Sequence, residues 1–127
     1  MFDTTIQDNF EIGCKYAKQE IPSVQQCEAM MKKLQLNKRL SDDASLCSIG
    51  EKQRIALGRV LFMNPDVYLM DEPSSALDKE TEKLIVQLIV EHTRNNDKTL
   101  IMITHNSDLA NEIADDVIII GKRTLYE

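Results

Sequence analysis

Residues 48–78 decide the fold, and they read SIGEKQRIALGRVLFMNPDVYLMDEPSSALD. An apolar run at 67–70 within this stretch is typical of a parallel strand that is buried on both faces. Asp71 and Glu72 end that run, and two carboxylates at such a place are costly to bury without a cation or a proton. Asp71 therefore suits the binding of Mg²⁺ through an oxygen ligand. Glu72 suits the polarisation of a water molecule.

The start of the stretch predicts a helix over 49–63 with a specific cap. Ser48 and Glu51 have the spacing of a capping box, and Asn64-Pro65 ends the helix because proline cannot continue the hydrogen-bond ladder. The free amides and the positive dipole end at such a helix start also suit an anion. From these residues alone a plain helix cap is the stronger interpretation, and a phosphate site is the alternative.

The rest of the chain predicts an α/β class. Strand, helix and strand in this order imply right-handed parallel βαβ units, with a helical lobe at 1–63 and an α/β core at 64–127. The N-terminal residues predict either a short helix near 4–10 that Gly13 interrupts or a loop with a frayed terminus. The remaining predicted elements are a helix at 23–35 capped by Ser23, a polar linker at 37–47, a helix at 79–95 capped by Asp78, a strand at 99–104 followed by His105, a helix at 108–114 capped by Ser107, a strand at 117–120, and an ending at 122–127 that is too short for further structure.

Several side chains have predicted surroundings. Met30 and Met31 are expected in the core and His92 at the surface or an edge. The side chains expected to anchor the linker are Leu36, Leu40 and Leu46, and those expected to face outward or to flank the helix at 49–63 are Lys52, Gln53, Arg54 and Arg59.

The composition is that of one globular domain. The chain has 127 residues, of which 43% are hydrophobic and 28% charged, and it contains neither an apolar run that could span a membrane nor a signal-peptide pattern. Its three cysteines show no C-x-x-C spacing, which favours reduced cytosolic thiols. The net charge of −6 argues against a general nucleic-acid coat, so no nucleic-acid partner is expected.

Four motifs together resemble the second half of an ABC-type ATPase, the nucleotide-binding domain of ABC transporters. Residues 48–51 resemble the signature motif, and residues 67–72 resemble the Walker B strand with its catalytic glutamate. Residues 75–78 resemble the D-loop, and Thr104-His105 resembles the switch histidine. The resemblance extends from about residue 2 to residue 121. It implies an incomplete P-loop NTPase fold with a helical subdomain.

The resemblance also implies roles for these residues. In the complete domain Mg-ATP would lie between two subunits. Glu72 would activate the attacking water, His105 would contact the γ-phosphate and Asp71 would hold Mg²⁺. The helix start at Ser48, Gly50 and Glu51 would close over the ATP of the opposite subunit, and Asp78 would couple the two sites. The implied partners are a second ATPase subunit in a homodimer and a membrane permease. The implied location is the cytoplasmic face of the plasma membrane.

The sequence departs from the family pattern in three places. It contains no G-x-x-x-x-G-K-[ST], the loop that cradles the phosphates, and the Q-loop glutamine is missing as well. Cys47 and Ile49 stand where the family usually has leucine and glycine. We therefore expect a missing Walker A strand, whose empty central slot between 99–104 and 117–120 leaves two strand edges bare. Such edges should destabilise or oligomerise the chain unless 117–120 moves over to pair with 99–104. We also expect no measurable ATPase activity and at most weak nucleotide binding of this chain alone.

Two other functions remain open. One is half of a DNA-repair or chromosome-organising ABC ATPase head, which should continue from a long heptad coiled coil that this sequence lacks. The other is a decayed ATPase that acts only as an interaction module. Cys47 and Ile49 favour the module, whereas Asp71, Glu72 and His105 favour the enzyme.

Overall fold

A computed structural model describes residues 1–121 of the chain. The elements in chain order are α1 (Ile6–Tyr16), α2 (Val24–Lys33), a 3₁₀ turn (Ala44–Leu46), α3 (Ile49–Met63), β1 (Val67–Asp71), α4 (Lys79–Asn95), β2 (Thr99–Ile103) and α5 (Ser107–Ile113). Most predicted elements are confirmed within one or two residues, as is the α/β class. The predicted ending at 122–127 lies outside the described residues. Within residues 1–121 no helix is both long and apolar enough to span a membrane.

The first helix is longer than the sequence predicted. Thr5 caps α1, with its side chain accepting from the amide of Asp8 at 3.1 Å, and the helix continues through Gly13 to Tyr16. A Cβ atom at residue 13 would lie 2.6 Å from Cγ of Met63. The prediction that Gly13 interrupts this helix was therefore wrong, because the glycine provides a close approach between α1 and α3.

The capping signals of α2, α3 and α4 are confirmed. Ser23 and Ser48 each form a reciprocal capping box with the residue three positions later. Asn64 ends α3 in the left-handed conformation, with φ 47°, and Pro65 follows it. The prediction that Ser107 caps α5 was wrong, because the side chain of Asn106 accepts from the Leu109 amide at 3.1 Å and α5 begins at Ser107 itself.

One hydrophobic core connects the helical lobe to the α/β part. Its fully buried members include Phe10 of α1, Leu34, Ile55 of α3, Tyr68 of β1 and Ile89 of α4. Met30 and Met31 are buried in the same cluster, as predicted, and so are Leu36 and Leu40. Leu46 is 81% exposed, so its predicted role as an anchor was wrong.

Arg59, which was expected to face outward or to flank the helix, is half-buried and joins α3 to the N-terminus. Its guanidinium donates to Oδ1 of Asn9 at 2.7 Å and to the Asn9 carbonyl at 3.0 Å. The guanidinium carbon also lies 4.9 Å from the centre of the Phe2 ring. Asn9 is fully buried, and its satisfied amide fixes residues 2–9 against α3.

The sheet has two parallel strands, and one of its faces is exposed. β1 pairs with β2 in a register that places Tyr68 opposite Leu100 and Asp71 opposite Ile103. Tyr68 points into the core, whereas Leu69 on the other face is 75% exposed. The prediction of a strand buried on both faces was therefore wrong for this chain, because no layer among residues 1–121 covers the second face. We call that face, formed by Val67, Leu69, Ile101 and Ile103, the open sheet face.

The predicted last strand does not form. Residues 117–120 have no strand structure, and they neither join the sheet nor pair with β2. Ile118, Ile119 and Ile120 are almost fully exposed. A short apolar run becomes a strand only when it pairs with another strand, and in the described part of the chain β2 pairs with β1 alone.

The three cysteines are free and buried. Burial raises the pKa of each thiol, and for Cys27 it does so to about 11. They therefore act as small apolar core residues. Cys47, immediately before α3, fills a core position in this way.

His92 is half-buried and contacts Tyr68. Of the two predicted positions, surface or edge, the structure therefore confirms the edge. Its Nε2 lies 3.1 Å from the Tyr68 hydroxyl and 3.3 Å from Oδ1 of Asn64. Desolvation lowers the pKa of His92 from its ordinary value of 6.5, and the positive charges of Lys33 and Lys98 lower it further. The folded chain therefore favours the neutral imidazole.

This shift predicts a pH dependence of stability. Between the lowered pKa and 6.5 the unfolded chain binds more protons at His92, so the free energy of unfolding should decrease as the pH falls below 6.5. Above 6.5 this contribution is fully present. We expect His92→Gln to flatten the profile in urea unfolding measured between about pH 5 and pH 8. The same slope in both proteins would contradict the assignment.

Candidate active site

The carboxyl ends of β1 and β2 bring Glu72 and His105 together. Because Asp71 lies opposite Ile103 in the parallel register, the residues that follow the two strands emerge at the same edge of the sheet. Nε2 of His105 lies 3.4 Å from Oε1 of Glu72, with the histidine side chain 95% exposed and the glutamate side chain 29% exposed. The sequence motifs alone located each residue, and the register explains their contact.

The backbone of Glu72 is held in an unusual conformation. Its φ is 47°, in the left-handed region that costs a residue with a side chain about 1–3 kcal/mol. Its amide donates to the Ile103 carbonyl at 2.9 Å, and its own carbonyl accepts from the Ser75 amide at 3.2 Å. Such strain persists where the surroundings over-determine it, which is common at functional sites.

The Glu72 side chain has a buried oxygen that could accept a hydrogen bond. Oε1 is buried, and among the described residues no donor is aligned to hydrogen-bond to it, since the contact with His105 is only a close approach. A buried carboxylate oxygen without a partner favours a molecule that donates a hydrogen bond to it. This arrangement suits the orientation of a water molecule next to an exposed imidazole.

Asp71 offers an exposed carboxylate at the end of β1. No group of three or more candidate ligand residues occurs in residues 1–121. Mg²⁺ is usually held by one or two carboxylates together with phosphate oxygens and water. Asp71 fits that arrangement as a single carboxylate ligand of Mg²⁺, and Glu72 is the next residue in the chain.

The predicted phosphate-facing residues lie at the start of α3. The Ser48 hydroxyl accepts from the Glu51 amide at 3.2 Å, and the Glu51 carboxylate accepts from the Ser48 amide at the same distance. Glu51 also lies 3.7 Å from Nζ of Lys38. Ser48 and Glu51 therefore bond to each other rather than to Glu72 or His105. Ile49 beside them is 79% exposed, so its branched side chain stands next to the helix start.

Gly50 brings the start of α3 against the turn that follows β1. A Cβ atom at this position would lie 3.0 Å from the Ala76 carbonyl oxygen and 3.3 Å from Cδ2 of Leu77. The absence of a side chain thus permits a close backbone contact. Through this contact the predicted signature residues pack against the predicted D-loop.

Asp78 ends that turn and caps α4, as predicted. Its carboxylate accepts from the Thr81 amide at 2.8 Å and from the Thr81 hydroxyl at 3.1 Å. These hydrogen bonds favour the charged form and lower the pKa of Asp78. In the described chain Asp78 therefore fixes the direction of α4, and a further role between two active sites is a separate expectation.

Two positioning side chains were missed from the sequence. Gln53 was expected only to face outward or to flank α3, but its side-chain amide bonds to the turn after β1. Glu82 of α4 accepts from the Ser74 hydroxyl at 3.3 Å and from Nδ2 of Asn106 at 3.1 Å, so it joins the two loops that carry Glu72 and His105. Helical periodicity does not reveal such partners. The only available signal was the position of both residues in the first turns of helices next to the motifs.

Comparisons with known proteins agree with this geometry. A family profile described as ABC transporter matches residues 2–75. The arginine transport ATP-binding protein ArtM of Bacillus subtilis is 34% identical over 125 residues, which are 97% of this chain and 52% of ArtM. The methionine import ATP-binding protein MetN of Vibrio cholerae is 43% identical over 90 residues, covering 71% of this chain and 26% of MetN.

A solved structure shows the same fold. It is the dimeric ATP-binding cassette MJ0796 in a post-hydrolysis state with ADP and Pi, and it matches with a TM-score of 0.72 and 28% identity. The match covers 84% of this chain and 48% of that cassette. The chain thus spans about half the length of ArtM and of this cassette.

Proposed function

The chain belongs to the ABC transporter family, and from this premise we propose that it is the C-terminal part of an ATPase subunit that powers a transporter. The observation that carries the proposal is the 3.4 Å contact between His105 and Glu72 at the carboxyl ends of two parallel strands. Catalytic groups of open α/β sheets gather at this edge. ATP hydrolysis is the reaction of this family that such a pair suits.

Each site residue has a proposed role in hydrolysis. Glu72 orients the attacking water through its buried Oε1, and His105 contacts the γ-phosphate from its exposed position. Phosphoryl transfer depends mainly on positioning and charge stabilisation, and the held backbone of Glu72 supplies positioning. Asp71 would hold Mg²⁺, which would neutralise phosphate charge.

The start of α3 is proposed to act on the nucleotide of a second ATPase subunit. Gly50 presents its backbone amide, and Ser48 its hydroxyl, to an anion at the start of a 15-residue helix. Glu51 keeps the helix start in place by accepting from the Ser48 amide. Asp78 and its turn couple the two sites through the contact at Gly50. The subunit pairs with a second copy and docks on a membrane permease at the cytoplasmic face of the membrane, and no nucleic acid takes part.

The experiment that tests this proposal uses a fusion in which the chain replaces its matching 125-residue segment of ArtM. We call it the ArtM fusion. The 127-residue chain alone should neither hydrolyse Mg-ATP nor bind it saturably in calorimetry, because it lacks the phosphate-cradling loop. The ArtM fusion should hydrolyse Mg-ATP. A folded fusion that binds Mg-ATP without turnover would contradict the proposal and favour the interaction module.

Ile49 gives a specific prediction, because its exposed side chain favours the module as a second candidate function. Replacement by glycine removes a branched side chain beside the proposed phosphate site, at a cost in helix stability of about 0.5–1 kcal/mol. We expect Ile49→Gly in the ArtM fusion to lower KM for Mg-ATP by about tenfold, which equals about 1.4 kcal/mol.

The control is Ile118→Gly, which removes an equally large exposed side chain outside the site. An unchanged KM in Ile49→Gly would mean that this side chain does not restrict nucleotide binding. Tighter Mg-ATP binding in calorimetry without any turnover would favour the module over the enzyme.

A further inference from the structure

We propose that Gln53 is a positioning residue that holds Glu72 and the following turn to α3. The inference rests on the proposed function, since Glu72 is the group that orients the water there. The side-chain amide of Gln53 contacts neither the Glu72 carboxylate nor the His105 imidazole. Gln53 acts on the backbone that carries one of them.

The Gln53 amide uses all its principal hydrogen-bonding groups on one turn. Nε2 donates to the Glu72 carbonyl at 3.1 Å and to the Ser75 hydroxyl at 3.2 Å. Oε1 accepts from the Ala76 amide at 3.1 Å. A primary amide has two N–H donors and a carbonyl acceptor, so a single side chain holds three successive points of the turn.

The turn needs this support because of the conformation of Glu72. A φ of 47° is sparsely populated for a residue with a side chain. The amide of Glu72 donates to the Ile103 carbonyl on β2 at 2.9 Å, while the Glu72 carbonyl accepts from Gln53 of α3 in addition to the Ser75 amide of the turn itself. The two partners hold the peptide groups on either side of Cα, so they set the direction in which the carboxylate leaves the backbone.

The same helix face contacts the turn at a second point. Gly50 and Gln53 are three residues apart and therefore neighbours on the surface of α3. Gly50 approaches the Ala76 carbonyl, and Gln53 binds the Ala76 amide. A displacement of the start of α3, where Ser48 lies, must therefore move the turn and the backbone of Glu72 with it.

The experiment measures the full 127-residue chain by NMR without nucleotide. In Gln53→Ala the Ala76 amide should exchange with solvent about fivefold faster, as expected for the loss of one ordinary hydrogen bond. In Gln53→Glu the exchange at Ala76 should stay unchanged, because a carboxylate still accepts from it. The carbonyl ¹³C shift of Glu72 should change in both variants, because both lose the donor.

The control is Gln25→Ala, the same change at an exposed position of α2, and it should alter neither signal. Unchanged exchange at Ala76 in Gln53→Ala would overturn the proposal. An equal increase at Ala76 and at interior amides of α3 such as Leu57 would also overturn it, because that result would show general loss of stability.

A second readout tests the effect on the reaction. In the ArtM fusion Gln53→Ala should lower kcat by about 10–100-fold, the size expected for a misplaced catalytic group, with KM for Mg-ATP nearly unchanged. If kcat stays the same while exchange at Ala76 rises, Gln53 holds the turn without serving catalysis and the proposal fails. If the unaltered fusion has no activity, the proposed function fails, and the exchange result still decides the contact itself.

Discussion

Glu72→Gln in the ArtM fusion should lower kcat for Mg-ATP hydrolysis by about 10²–10⁴-fold, the range that a positioned general base contributes. Glutamine keeps the size and polarity of the side chain but cannot accept a proton as a carboxylate does. The backbone hydrogen bonds of Glu72 do not involve the side chain, so the turn should keep its conformation. KM should change little, because the substitution removes an interaction that acts in the transition state.

A matched control is Glu28→Gln, which makes the same chemical change at an exposed position of α2. It should leave kcat within experimental error of the unaltered fusion. Turnover that survives Glu72→Gln would contradict the proposed role and support the non-enzymatic module. A parallel loss in Glu28→Gln would show instead that the fusion is sensitive to charge anywhere on the helical lobe.

The local parts of this site were predictable from sequence because they depend on short-range rules. Ser48 and Glu51 show a capping box by their spacing alone, and the structure confirms it. Glu72 and His105 each follow an apolar run, and parallel strands place such residues at one edge. The contact between their side chains depends on the register of β1 and β2, which could not be predicted from the sequence.

The parts that sequence reasoning missed depend on contacts between distant elements. Gln53 is in a helix at a position where periodicity predicts solvent, yet its partners lie 19 to 23 residues away. Gly13 was read as a helix breaker because its close contact with Met63 of α3 could not be seen. Residues 117–120 have the composition of a strand, but they lack a neighbouring strand among the described residues.

The open sheet face predicts that the 127-residue chain self-associates by itself. Leu69 and Ile101 lie side by side in the register, and both are more than half exposed. Parallel sheets are normally covered on both faces, and a contiguous apolar patch on a small protein favours association. Among residues 1–121 the outer edge of β2 has no strand partner, and such an edge offers unpaired backbone groups for association. The mass in light scattering should therefore exceed the 14.5 kDa of one chain as concentration rises from the micromolar range.

The double variant Leu69→Lys with Ile101→Lys should restore a mass near 14.5 kDa, because two charges on neighbouring strands oppose burial of this face. Its control is Tyr16→Lys with Leu46→Lys, which adds the same charge at two exposed apolar positions on the helical lobe. The control should associate as the unaltered chain does. Monomers at every concentration in the unaltered chain would contradict the prediction. Association that survives in the double variant would place the contact on another surface, and adding Ile119→Lys would show whether residues 117–120 provide it.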